Sequence, residues 1–138
     1  MALVLDVSVA LAWLLPDEQG GTAVDEVLDR VVREGAVVPG LWRLEVANAL
    51  VMAGRRARLL PTQRAAALEA LAALPIAVDG DMAARAWTDI LALADEHRLT
   101  LYDAAYLELA QRRGVPLFTR DRQLAGVAPR EGVESFGR

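Results

Sequence analysis

The chain predicts an α/β fold: a three-layer α/β/α sandwich built around a parallel sheet of very short strands. Three observations predict it. Short apolar runs at 2–5, 36–38, 75–78 and 117–119 recur along the chain with helical stretches between them, and strands alternating with helices build a parallel sheet covered on both faces. Each run has the length and flanks of a buried strand. Ala and Leu dominate the remainder, which supplies helix in quantity.

Taken in order, residues 2–5 form the first strand and 7–15 a helix stopped by Pro16. Residues 17–21 are a loop. A helix over 22–33 carries Val24, Val27, Leu28, Val31 and Val32 at helical spacing, and Gly35 ends it. After the strand 36–38 come a helix over 42–53 and another from Pro61 to about 74. The third strand, 75–78, precedes a long helix over 82–97 bearing Ala83, Ala86, Trp87, Ile90, Leu91 and Leu93. A helix over 103–113 ends at Gly114, the strand 117–119 follows, and 132–136 is a weaker fifth strand. Only 54–58 and the last few residues read as mobile.

At 138 residues, 54% of them apolar and 25% charged, the chain is expected to form one domain over 1–138 with one good core. No apolar run approaches the roughly 18 residues that span a bilayer, and the opening Met-Ala-Leu-Val-Leu-Asp lacks the basic leader of a signal peptide. There is no Cys, which excludes disulfides, thiolate zinc sites and Cys nucleophiles and suits the cytoplasm. All 15 basic residues are Arg and the net charge is -4. A strongly basic nucleic-acid binder is thereby disfavoured, but a phosphate enzyme is not, because bound cations and local Arg restore an attracting field.

Four acids fall where this topology gathers side chains. Asp6 ends the first strand, Asp121 follows the fourth, Glu45 lies early in the helix after the second, and Asp103 opens its own helix. Strand ends and the helix starts that follow them share one edge of a parallel sheet, where such folds place their sites. Taken alone, each acid has a plain reading. Asp6 is a helix N-cap, Asp103 completes a capping box with Thr100, Asp121 caps the turn 122–125, and Glu45 complements a helix dipole. Together they repel, by roughly 4 kcal/mol for a pair about 4 Å apart at an effective dielectric near 20. Such a group makes sense as a cage for a divalent cation. Ser8, two after Asp6, and Thr119, two before Asp121, accompany them, as does Asn48, one turn beyond Glu45; Asn48 reads equally as an exposed polar residue.

Absences narrow the chemistry. The single His, His97, sits at a helix end and reads as a dipole partner or a surface residue, so no two-His ribonuclease mechanism is available. There is no P-loop and no Lys for one. The Asp-x-Asp of an aspartyl-phosphate phosphatase is missing, as is the Lys of a phosphoacceptor receiver domain, and no Gly-x-Ser-x-Gly elbow occurs.

Four segments in order then carry a resemblance: Leu3-Val4-Leu5-Asp6-Val7-Ser8-Val9; Pro39 through Leu50 with its Glu45-x-x-Asn48; Leu101-Tyr102-Asp103-Ala104-Ala105-Tyr106-Leu107; and Leu117-Phe118-Thr119-Arg120-Asp121. Over nearly its whole length the chain resembles PIN-domain ribonucleases, and within them the VapC-type toxins of bacterial toxin–antitoxin pairs. The resemblance implies a Mg²⁺- or Mn²⁺-dependent endoribonuclease neutralised by a cognate VapB-type antitoxin. Asp6 and Asp103 are then the most direct ligands, Glu45 and Asp121 bind a second ion or hold its waters, and Ser8, Asn48 and Thr119 orient that shell. Water activated by the cation attacks phosphorus. Arg55, Arg56 and Arg58 are candidate RNA contacts, with a plainer reading as cations offsetting a helix end. Trp13, Leu15 and Trp42 are candidates for an antitoxin groove, although Trp13, Trp42 and Trp87 also read as core. The apolar content suggests a homodimer. A catalytically silent RNA- or protein-binding module and a structure-specific DNA nuclease remain as alternatives.

Overall fold

A computed structural model describes residues 2–15, 18 and 21–136, without the side chain of Thr22. Five parallel strands form one sheet in the order β3-β2-β1-β4-β5: β1 Leu3–Leu5, β2 Ala36–Val38, β3 Ile76–Val78, β4 Leu117–Phe118 and β5 Ser135–Phe136. The helices are α1 Val7–Leu14, α2 Thr22–Glu34, α3 Trp42–Arg55, α4 Pro61–Ala72, α5 Met82–Arg85, α6 Leu91–His97, α7 Leu101–Arg113 and α8 Arg122–Val127. The predicted α/β sandwich with very short strands is the observed one. No helix among the described residues is long and apolar enough to cross a membrane.

The chain begins in the middle of the sheet. It runs outward through β2 to β3, then returns to lay β4 against the other side of β1. Leu3, Val4 and Leu5 are fully buried, as are Val38 and Leu117, the burial of central strands covered on both faces. Val4 pairs with Leu117 and Leu5 with Phe118. The next residue along each strand is therefore Asp6 on one and Thr119 on the other. The sheet reverses its winding direction between β1 and β4, and α/β folds open a crevice beyond the strand ends at such a point.

Several expectations need correction. The helix predicted over 82–97 is interrupted by a π-helical turn at Ala86–Ile90. Trp87, read as core, is 89% exposed on that turn. His97, read as a dipole partner or surface residue, is buried, with Nε2 2.7 Å from Glu131 Oε1. Helix α3 continues through Gly54 to Arg55, and the chain turns at Ala57 with φ 58°. Pro16, the expected stop of α1, lies outside the described residues; α1 ends at Leu14 and the Leu15 amide closes onto the Leu11 carbonyl.

A buried ionic knot fixes the far end of α7. Asp79, just beyond β3, accepts from Arg112 Nη1 and Nη2 at 3.1 and 2.8 Å and from Arg113 Nη2 at 3.0 Å. Arg112 also donates to buried Glu108 at 2.8 Å. The two guanidinium groups hold the Asp79 carboxyl well below the usual carboxylate range, Arg112 contributing most. This ties the edge strand to the helix that carries Asp103 and Tyr106.

Candidate active site

Asp6 is buried at the C-terminal end of β1. It occupies the N-cap position of α1, but its side chain makes no capping bond. Instead Oδ2 accepts from Ser8 Oγ and Thr119 Oγ1, both at 2.7 Å. The Asp6 amide donates to Phe118 O at 2.9 Å, so strand pairing itself brings Thr119 alongside. Burial raises the Asp6 carboxyl above its ordinary range. The Ser8 and Thr119 hydroxyls and the Val7 amide pull it back, and the charge of Asp121 adds to the rise.

Asp121 does cap. Its Oδ1 accepts from the Leu124 amide at 2.9 Å, opening α8. Its own amide donates to Thr119 Oγ1 at 3.0 Å, and the Arg120 amide donates to Ser8 Oγ at 2.9 Å. The loop after β4 is thus pinned to the end of β1 by two hydroxyls. Asp121 itself is exposed.

Glu45 stands in the first turn of α3, half-buried. Its Oε1 accepts from the Tyr106 hydroxyl at 2.6 Å. Burial raises the Glu45 carboxyl, the Tyr106 bond opposes this, and the charges of Asp6 and Asp103 push further upward. Asp103, half-buried in the first turn of α7, is raised by burial and then by the charges of Asp121 and Asp6. The Asp103 amide donates to Thr100 Oγ1 at 3.1 Å, which caps α7. The Thr100 side chain thus caps α7 through the Asp103 amide and also partly offsets the rise of the Asp103 carboxyl.

The four acids feel one another's charge, and the protein supplies no cation to them: none of their carboxylates is paired with an Arg among the described residues. They form an open arc. Among the described residues no three of them bring oxygens within 4.8 Å of one another. The donor set is all oxygen, of the kind that holds hard divalent cations, and Mg²⁺ in particular takes one or two carboxylates and keeps several waters. The residues fit such an ion.

The other candidates divide. Ser8 and Thr119 join the site through Asp6. Asn48 is exposed and makes no side-chain hydrogen bond among the described residues. Arg55 and Arg56 are exposed at the far end of α3, about 15 Å of helix axis from Glu45. Arg58 Nη2 pairs with Glu18 Oε2 at 3.0 Å. Leu15 and Trp42 are core residues, 2% and 4% exposed. Half-buried Trp13 donates from Nε1 to Val24 O at 2.9 Å, joining α1 to α2. Trp42 also lines a groove of 260 Å³ with Val46, Leu68, Leu71, Leu74 and Ile76.

Sequence reasoning missed Tyr106 and Arg120. Tyr106 sits in a run of apolar residues and reads as core; only its spacing of one turn from Asp103 hinted otherwise. Arg120, exposed between Thr119 and Asp121, shares with exposed Arg122 the place next to Asp121 in sequence, and that adjacency was the available signal.

Comparison with known proteins bears on the family and the fold. Residues 3–129 match the family model of the PIN domain. The chain is 36% identical over 131 residues to Ribonuclease VapC3 of Pyrobaculum aerophilum, covering 94% of this chain and 96% of that protein. Among solved structures, PAE2754 from Pyrobaculum aerophilum superposes with a TM-score of 0.68 at 21% identity, covering 98% of this chain and 89% of that one. FitAcB from Neisseria gonorrhoeae gives 0.67 at 20% identity, covering 98% and 96%. A toxin–antitoxin complex from Klebsiella pneumoniae gives 0.62 at 22%, covering 91% and 92%. At those identities the structural likeness concerns the fold; the family match and the 36% identical relative carry the assignment, and the chain belongs to the PIN-domain family.

Proposed function

We propose that this protein is a divalent-cation-dependent endoribonuclease acting in the cytoplasm as the toxin of a toxin–antitoxin pair, with Mg²⁺ or Mn²⁺ as its cation. The observation that carries the reading is the group of Asp6, Glu45, Asp103 and Asp121 at the β1/β4 crevice, three of them with raised carboxyl pKa values and all without a protein cation. The similarity to Ribonuclease VapC3 supports the RNA substrate, and the likeness to a toxin–antitoxin complex supports a partner.

A bound divalent cation would lower the pKa of water and neutralise charge on the phosphodiester. Asp6 and Asp103 would hold it most directly, with Glu45 and Asp121 completing the arc. Ser8 and Thr119 fix the Asp6 carboxylate from one side, so that it meets the ion without reorganising. Arg120, exposed beside Asp121, is placed to receive a backbone phosphate, which guanidinium recognises through paired N–H donors. The ribose 2′-hydroxyl takes no part, so products carry 5′-phosphate and 3′-hydroxyl ends. The antitoxin inhibits by presenting a basic residue, Arg above all, to the carboxylates.

The test is cleavage of single-stranded RNA by the purified chain. It should require Mg²⁺ or Mn²⁺, stop with EDTA, and fall at least 100-fold in Asp6→Asn and Asp103→Asn with the circular dichroism spectrum retained. Full activity in either variant, or 2′,3′-cyclic phosphate ends, would overturn the mechanism. Cleavage of DNA but not RNA would reassign the substrate.

A further inference from the structure

The four carboxylates are not held alike. Glu45 gives Oε1 to the Tyr106 hydroxyl at 2.6 Å. Asp6 gives Oδ2 to two hydroxyls, Ser8 and Thr119. Asp121 gives Oδ1 to the Leu124 amide at 2.9 Å. In three of the four, one oxygen is already committed to a protein donor. A carboxylate chelates an ion through both oxygens only when its bisector points at that ion. Turning Glu45 to do so would stretch or share the Tyr106 bond.

That bond is well anchored. Tyr106 is 1% exposed on α7, the helix tied down at its far end by Arg112, Arg113 and Asp79. A buried phenol packed this closely has little room to follow a rotating carboxylate. Ca²⁺ takes six to eight oxygens and commonly accepts carboxylates bidentately, whereas Mg²⁺ demands six in octahedral array and keeps its waters. A set in which three of four carboxylates offer one free oxygen suits the second ion and starves the first.

Resting on the cation-dependent ribonuclease reading, we infer that Tyr106 is a specificity-determining positioning residue: by occupying Glu45 Oε1 it confines that carboxylate to single-oxygen contact and makes the site prefer Mg²⁺ or Mn²⁺ over Ca²⁺. Thr119 and Ser8 together do the same for Asp6. None of these side chains touches the ion; each acts through a ligand.

Calorimetric titration of the full chain with Mg²⁺, Mn²⁺ and Ca²⁺, each alone and without RNA, tests this. In Tyr106→Phe, which keeps the ring and loses only the donor, the Mg²⁺/Ca²⁺ affinity ratio should fall roughly tenfold, the order of one hydrogen bond to a charged group. Ca²⁺ should also become a stronger competitor of Mg²⁺-dependent cleavage. Thr119→Val combined with Ser8→Ala, which removes both donors to Asp6 Oδ2, should shift the ratio in the same direction and carries the test if Tyr106→Phe does not fold. Equal weakening of all three ions in the variants, with the ratio unchanged, would reduce Tyr106 and Thr119 to structural roles and overturn the inference while leaving the ribonuclease reading intact. A wild-type chain that binds none of the three ions would overturn both.

Discussion

At the scale of single residues, the site stores repulsion that only a cation or a proton relieves. Asp6, Glu45 and Asp103 all have carboxyl pKa values above their ordinary ones, burial first and neighbouring charge after. A group whose folded pKa lies above its unfolded one stabilises fully below the unfolded value and loses that contribution as pH rises through the folded value. The cation-free protein should therefore lose stability from this cluster as pH climbs from about 4 upward. Asp103→Asn removes one of the charges and keeps the backbone amide that the Thr100 hydroxyl caps. Its melting temperature in EDTA at pH 8 should exceed that of wild type by a few degrees, at about 3–5 °C per kcal/mol of repulsion removed. The gap should close near pH 4. A variant that melts lower than wild type at pH 8 would show that Asp103 makes a net favourable contact. The positions of all four acids were legible because strand ends and early helix turns are fixed by topology. The Tyr106 bond was not, because an aromatic at helical spacing in an apolar helix announces packing, and its hydroxyl partner is 61 residues away.

At the scale of elements, two features set by tertiary packing escaped the sequence. The π-helical turn at Ala86–Ile90 widens the helix and rotates the following residues relative to those before it. Hydrophobic spacing read across it assigns Trp87 to the inner face, yet Ile90 is 2% exposed and Trp87 89%. Trp87→Ser should thus change the stability of the monomer by no more than about 0.5 kcal/mol. Sedimentation of the same variant reads whether the exposed indole belongs to a contact between copies: a homodimer that weakens with this change would place the interface there. The second feature is the Asp79–Arg112–Arg113 knot. Arg112→Ala leaves a carboxylate that is 3% exposed with the Asp81 amide and, as its one strong cation, the more exposed Arg113, and breaking a buried pair costs about 3 kcal/mol. Denaturant titration at pH 7 measures this. Asp79 has a folded pKa below its unfolded one, so its contribution is present above about pH 4 and fades as pH falls through the folded value. Asp79→Asn should accordingly lose less stability on acidification than wild type.

Taken as a whole molecule, the protein is a sheet whose middle strand comes first in sequence. Adding Mg²⁺ should raise the melting temperature at pH 8 in proportion to the logarithm of its concentration above Kd, and EDTA should reverse it, because an ion bound only by the folded state stabilises by mass action. The same titration on Asp6→Asn should be flat. The strand order was not legible beyond its being parallel. Alternating strands and helices specify crossovers but not which side of β1 the returning strand takes, and that is decided by how α7 and β4 pack against it.

The pairing of Asp6 with Thr119 spans 113 positions of sequence. During synthesis the first acid leaves the ribosome long before its partner: at about 5–20 residues per second the wait is roughly 6–23 s. Throughout that interval β1 can pair only with β2, and the crevice lacks its second wall. A growing polypeptide therefore carries no assembled site near the very RNA machinery that is making it. The centre-first winding order makes closure of the crevice wait on the return of β4.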